Sequence, residues 1–224
     1  AALSSHKDVQ HISFTGSVAT GALVQQAAGA NVVPVTLELG GKSPQLVFED
    51  ANLDDALPFL VNAGIQNAGQ TCSASSRILV QENRYAEVVA AMSERYSALT
   101  VGPAMDDLNL GPLISERQKE IVTGFLAQGK DLHIAATGQI AEGAPSKGAY
   151  VAPHLLLCSD PHHPLAQQEI FGPVQIVIPF KDEAEAVAIA NGTDFGLVAS
   201  VWTENGARQM RLAKALKSGQ VFIN

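Results

Sequence analysis

Residues 32–48 read Val-Val-Pro-Val-Thr-Leu-Glu-Leu-Gly-Gly-Lys-Ser-Pro-Gln-Leu-Val-Phe. A β-branched run over 32–39 suggests a buried strand, and 45–48 a second, short one. Between them Gly40-Gly41-Lys42-Ser43-Pro44 breaks both, because glycine and proline interrupt regular elements. Glu38 therefore stands at the end of an apolar strand, beside two glycines. A carboxylate there either caps a turn or lines a cleft at the carboxyl edge of a sheet, where open α/β folds bind ligands. Gly41-Lys42-Ser43 invites a phosphate-loop reading, but that motif needs glycine five residues earlier, where Thr36 stands.

The same alternation continues in both directions. Residues 9–14 read as a strand and 18–29 as a helix. Apolar residues from Leu53 to Ala68 recur at helical spacing, with Asn52 and Asp55 as a cap pair. Pro58 leaves the start of that helix open, since proline suits only the first turn. Residues 77–80 read as a strand and 84–99 as a helix. Ser115 with Gln118 opens a helix to residue 128. Strands at 132–136 and 150–157 flank a polar excursion over 138–148. Residues 174–180 form a strand, 183–190 a helix, 197–202 a strand and 207–216 a helix. Arg211, Lys214 and Lys217 crowd the end of that last helix, where cations suit its dipole, and Gly219 stops it. Residues 219–224 read as a final strand. Strand–helix alternation of this kind argues for an α/β fold with a largely parallel sheet.

Bulk properties exclude several classes. The 224 residues carry a net charge of −8 with no Lys/Arg-rich stretch, which argues against nucleic acid. No apolar run approaches the ~20 residues of a membrane helix. The N-terminus lacks the basic start and apolar core of a signal peptide. The 2 cysteines make no disulfide framework, so a reducing, cytoplasmic setting is expected. The chain opens on Ala1 and stops within a strand-like run, as an excised piece of a longer protein would.

Three stretches place a carboxylate or thiol beside glycine: Leu37–Lys42 (LELGGK), Gly69–Cys72 (GQTC) and Glu169–Pro173 (EIFGP). Cys72 follows an amphipathic helix through a Gly-Gln-Thr turn among small residues, an accessible place for a thiol. Cys158 ends Leu-Leu-Leu-Cys and reads as core. Phe14-Thr15-Gly16-Ser17 does not match the dinucleotide fingerprint, yet it could set backbone N–H groups and Ser17 against a phosphate at a helix start. Adjacent His162-His163 does not complete a metal site.

Taken together, these stretches resemble the NAD(P)-dependent aldehyde dehydrogenase superfamily. LELGGK is similar to its general-base motif, GQTC to its nucleophile motif, EIFGP to its cofactor-ribose motif and FTGS to its phosphate-side turn. They occur in order, 34 residues from Glu38 to Cys72 and 97 from Cys72 to Glu169. The resemblance runs along nearly the whole chain. It implies an aldehyde-dehydrogenase-like catalytic domain at 40–224, an open, largely parallel sheet flanked by helices, truncated at its C-terminus. Residues 1–39 would be the tail end of a Rossmann-like cofactor domain. Cys72 is implied as nucleophile and Glu38 as general base. Thr15, Gly16, Ser17, Leu39, Gly40, Glu169 and Phe171 are implied as cofactor contacts, and no metal.

The implied partners are NAD or NADP and a small-molecule aldehyde, with the parent a homo-dimer or homo-tetramer and the isolated piece inactive. The family has more chain on both sides, including a second oxyanion donor upstream. Two other readings compete. A CoA-acylating relative would need no water-activating glutamate. A non-catalytic scaffold could share the same fold.

Overall fold

The computed structural model describes residues 2–224, which form two compact units, one up to Gly40 and the other from Gly41 to Asn224. In the first, β1 (Ile12–Thr15), α1 (Val18–Gly29) and β2 (Val35–Glu38) make a βαβ unit. The strands are parallel, with Ile12 opposite Val35 and Thr15 opposite Glu38. Both are shorter than the sequence suggests and alternate half-buried with exposed residues. Residue 32 is not strand: Val32 takes φ 56°, and Pro34 follows before β2 begins. Ser17 caps α1 by accepting from the Thr20 N–H at 3.3 Å. A Cβ on Gly21 would lie 2.6 Å from the Leu39 side chain, so Leu39 packs directly on this helix.

The second unit runs β3 (Pro44–Val47), α2 (Leu53–Ile65), β4 (Arg77–Gln81), α3 (Tyr85–Ser97), β5 (Thr100–Val101), α4 (Glu116–Gln128), β6 (His133–Thr137), β7 (Gln139–Ile140) and β8 (His154–Leu157). It continues through α5 (Pro164–Gln167), β9 (Val174–Phe180), α6 (Glu183–Ala190), β10 (Val198–Trp202), α7 (Gly206–Ala215) and β11 (Gln220–Ile223). Seven strands form one sheet in the order β11-β10-β3-β4-β9-β8-β6, while β5 and β7 pair by themselves. Every neighbouring pair in the large sheet is parallel except β6 with β8. From β3 to β4 the chain advances one way across the sheet, and from β9 to β10 to β11 it goes the other way. Right-handed crossovers then put α2 and α6–α7 on opposite faces.

The central strands are buried along almost their whole length, as strands covered on both faces must be. Phe48, Leu60, Leu79, Met92, Ile176 and Phe180 belong to the continuous apolar core. Gln175, fully buried on β9, spends its amide on the Leu60 carbonyl at 2.9 Å and the Ser75 carbonyl at 2.5 Å, while its oxygen accepts from the Tyr96 hydroxyl at 2.5 Å.

Several local expectations need correction. Pro58 sits inside α2, beyond the first turn; it and Asp54, whose carbonyl loses its helical donor, are exposed. Residues 150–153 are not strand, because β8 starts only at His154, after Pro153. Ser115 caps α4 by accepting from the Gln118 N–H at 3.2 Å, but the Gln118 side chain does not return the bond and reaches elsewhere. Arg211 does not serve the α7 dipole; its guanidinium forks onto Glu183 of α6 at 2.6 and 2.7 Å.

Candidate active site

In the first unit the implied cofactor residues share one end of the βαβ. Thr15 and Glu38 are opposite each other at the carboxyl ends of β1 and β2, and the Gly16 N–H donates to the Glu38 carbonyl at 3.0 Å. Thr15, Gly16, Ser17 and Glu38 are exposed, and Leu39 and Gly40 half-buried. Ser17 stands at the N-terminus of the 12-residue α1, where free N–H groups and the helix dipole favour an anion. The Glu38 side chain makes no hydrogen bond or ion pair among the described residues. It is a solvated carboxylate at the open end of a parallel pair.

In the second unit the geometry runs the other way. Gly41 precedes β3, Cys72 precedes β4 and Glu169–Pro173 precedes β9, and these three strands are adjacent. The motif turns therefore gather at the amino edge of the sheet. Three contacts show how tightly. A Cβ on Gly41 would lie 2.3 Å from the Cys72 carbonyl oxygen. A Cβ on Gly69 would lie 2.1 Å from the Gly172 carbonyl oxygen. The Gly41 N–H donates to Glu169 Oε1 at 3.0 Å. Glycine is required here by close approach, and at Gly69 also by its φ of +73°.

The Cys72 loop is strained as well as crowded. Asn67 and Ala68 take φ 52° and 54°, so α2 ends in a left-handed reversal. Such a conformation costs an alanine roughly 1–2 kcal/mol. It is held by paired bonds, Asn67 Nδ2 to the Gln70 carbonyl at 3.0 Å and Gln70 Nε2 to the Asn67 carbonyl at 3.1 Å. Gln70 Oε1 also accepts from the Ile114 N–H at 2.9 Å. Beyond the reversal, the Ala74 N–H returns to the Thr71 carbonyl at 2.9 Å. Cys72 is half-buried, and its own N–H donates to no partner among the described residues. Cys158 is 2% exposed, as expected of core.

The third turn is fastened from α4. Gln118 Nε2 donates to the carbonyls of Ile170 at 3.3 Å and Phe171 at 3.0 Å. Phe171 holds φ 56° and stays exposed, while Glu169 is half-buried, its second carboxylate oxygen free of hydrogen bonds among the described residues. His163 is structural: it caps α5 through the Leu165 N–H at 3.1 Å and faces Asp131 at 3.4 Å.

Sequence reasoning quoted Lys42 within its motif and gave it no role. Lys42 is 1% exposed, and its ammonium has no hydrogen-bond partner among the described residues. Burial foremost, then the charge of Arg77, pull its pKa down to about 7, against a raising influence of Glu169. Arg77, also 1% exposed, spends its nitrogens on the carbonyls of Lys42 at 2.9 Å and of Ile189 and Ala190 at 2.8 Å, closing the C-terminal end of α6. A lysine placed directly after Gly-Gly and before an apolar strand was the available signal.

A family model described as the aldehyde dehydrogenase family matches residues 1–224. An aldehyde dehydrogenase of Emericella nidulans is 44% identical over 228 residues, covering 100% of this chain and 45% of the relative. A Burkholderia cenocepacia crystal structure, assigned to the aldehyde dehydrogenases, superposes with a TM-score of 0.98 at 55% identity, covering 99% of this chain and 47% of that one. The C291A variant of aldehyde dehydrogenase C from Pseudomonas syringae, solved with NAD+ and octanal, gives a TM-score of 0.93 at 37% identity, covering 100% and 47%. The chain thus spans about half the length of the relatives it matches.

Proposed function

The chain belongs to the aldehyde dehydrogenase family, and from that premise we propose that the longer protein oxidises an aldehyde to a carboxylic acid with NAD or NADP, through a thiohemiacetal and a thioester on Cys72. Residues 1–39 are then the end of a cofactor domain and 40–224 the catalytic domain. The observation that carries this reading is the meeting of three turns: Gly41 against the Cys72 carbonyl, Gly69 against the Gly172 carbonyl, and the Gly41 N–H on Glu169.

The donor set suits a dinucleotide. Ribose hydroxyls need an acceptor, and Glu169 keeps one carboxylate oxygen free of hydrogen bonds among the described residues. A diphosphate needs backbone N–H groups, and the first turn of α1, entered through Thr15-Gly16-Ser17, offers them. Phe171 is exposed two residues on from Glu169, and Leu39 and Gly40 are read as further cofactor contacts. When bound, the nicotinamide supplies the hydride acceptor.

The rest of the chemistry falls to this chain. The Cys72 thiolate adds to the aldehyde carbon, and its unpaired N–H stabilises the resulting oxyanion. After oxidation the carbonyl is a thioester. Glu38, a free carboxylate, takes a proton from water, which attacks the thioester, expels the Cys72 thiolate and releases the acid. That role separates this reading from transfer to CoA.

The decisive experiment is Glu38→Gln in the full-length protein under pre-steady-state conditions. The NADH burst is expected to persist while steady-state turnover falls by roughly 10²–10⁴-fold, the usual worth of a general base. Loss of the burst together with turnover would give Glu38 another role. This chain alone carries a single βαβ unit on the cofactor side. Turnover is therefore assigned to the longer protein.

A further inference from the structure

We infer that Gln70 and Gln118 are positioning residues: through the short segment from Ile114 to Gln118 they tie the nucleophile loop to the ribose turn, so that a ribose held at Glu169 is felt at Cys72. This inference rests on the roles proposed for Cys72 and Glu169.

The segment reaches both turns at once. At its start the Ile114 N–H donates to Gln70 Oε1 at 2.9 Å, just before Thr71-Cys72. At its end Gln118 Nε2 donates to the carbonyls of Ile170 and Phe171 at 3.3 and 3.0 Å, just after Glu169. The segment is itself anchored. The Leu113 N–H donates to the Ala149 carbonyl at 2.9 Å, and a Cβ on Gly172 would lie 2.4 Å from the Val122 side chain, so α4 packs on the ribose turn. Ile114 is 83% exposed, so its side chain adds little packing and its N–H is what the position contributes.

Both turns need holding. Asn67, Ala68 and Phe171 sit at φ 52°, 54° and 56°, a conformation that persists only where the surroundings impose it. Gln70 grips the first turn with Nε2 on the Asn67 carbonyl at 3.1 Å, while its own carbonyl accepts from Asn67 Nδ2 at 3.0 Å. Gln118 grips the second at Phe171. Contact between the turns is not enough, because Gly69 against the Gly172 carbonyl resists approach and not separation. The hydrogen bonds through the segment resist separation. A ribose on Glu169 steadies its turn, Gln118 passes that to the segment, and Gln70 passes it to the Cys72 loop, which then opens less often. Cys72 is half-buried, so a reagent from solvent depends on such opening.

The probe is ADP-ribose, which carries the ribose but no nicotinamide to cover the thiol. Its binding to the full-length protein is followed by calorimetry, and the rate of iodoacetamide labelling at Cys72 by peptide mapping, with and without saturating ADP-ribose. In the wild type ADP-ribose is expected to slow labelling by about threefold to tenfold, the usual worth of one hydrogen bond. Gln118→Met keeps the side-chain length and loses the donor, and Gln70→Met loses the acceptor. Each should bring the ratio of the two rates close to one. A merely structural glutamine would change both rates together and leave the ratio alone. A wild-type ratio retained in Gln118→Met therefore overturns the inference, since the ligand would then be shielding the thiol directly. A wild-type rate that ADP-ribose does not alter overturns it too, and needs no variant, which covers failure of the substituted proteins to fold. Glu169→Gln separates the two levels. If it leaves ADP-ribose affinity unchanged, the ribose role fails and the inference with it; if it weakens binding while ADP-ribose leaves wild-type Cys72 labelling unchanged, only the link through Gln70 and Gln118 is lost.

Discussion

Gly41→Ala is the sharpest probe of the site. The added methyl would lie 2.3 Å from the Cys72 carbonyl oxygen, where ordinary contact starts near 3.4 Å. The Cys72 peptide must therefore retreat by about 1 Å. It has little freedom to do so smoothly, because the Ala74 N–H is bound to Thr71 and the Ser75 N–H to Ala63, both at 2.9 Å. A displacement of 1 Å at a reacting group costs roughly 10²-fold in rate, and crowding a packed site costs about 1–3 kcal/mol. Rapid mixing of the full-length variant with aldehyde and NAD should show the NADH burst slowed by about a hundredfold. Thermal melting should remain cooperative and fall by a few degrees, at about 2–4 °C per kcal/mol. Gly124→Ala is the matched control: it is an exposed position inside α4 with nothing within 4 Å of the new methyl. It should gain about 0.5–1 kcal/mol and leave the burst alone. A Gly41→Ala enzyme whose burst stays within about twofold of wild type would refute the claim that this approach sets the nucleophile, since the displacement should cost far more.

Brief iodoacetamide treatment of the native protein should label Cys72 before Cys158. Burial raises the Cys158 thiol above its ordinary pKa and leaves it 2% exposed, whereas Cys72 is half-buried on a turn; peptide mapping that finds Cys158 modified first would remove Cys72 as nucleophile. Lys42→Met should stabilise the fold more at pH 6 than at pH 10. The folded-state pKa is depressed from 10.5 to about 7, so the unfolded chain binds more protons between those values and the penalty of burying the ammonium fades as pH rises. Urea midpoints that differ by the same amount at both pH values would contradict that charge assignment.

The chain's punctuation was largely readable. Helix α2 announces itself by apolar spacing and a cap, α4 by its Ser115 cap, and β9 by an apolar run broken only by Gln175, since these depend on neighbours a few residues away. The strand expected at 150–153 failed because its β-branched and aromatic residues lead into Pro153, which cannot join a ladder. Gln118 looked like half of a reciprocal cap, but two carbonyls on a distant turn, Ile170 and Phe171, hold its amide instead. Nothing local foretells that competition. The motifs marked Cys72, Glu38 and Glu169 because their residue types carry the chemistry. Lys42 stayed hidden because burial belongs to the assembled sheet, and a lysine after Gly-Gly reads equally well as a solvated turn.

The turns at Gly69 and Gly172 touch although they enter different strands, β4 and β9, with over half of the second unit's chain spun out between them. Because β4 and β9 are direct neighbours, their pairing sets the distance between the two turns, and the bonds that fasten them from the connection, from Ile114 and Gln118, come before residue 142. The exposed stretch at 142–147 lies on this connection, in turns outside the large sheet. Lengthening it would add only the slow logarithmic cost of closing a larger loop, about 0.6 kcal/mol per doubling. The fold can thus absorb insertions there, including a grafted reporter or a recognition element, without asking the reacting turns to move.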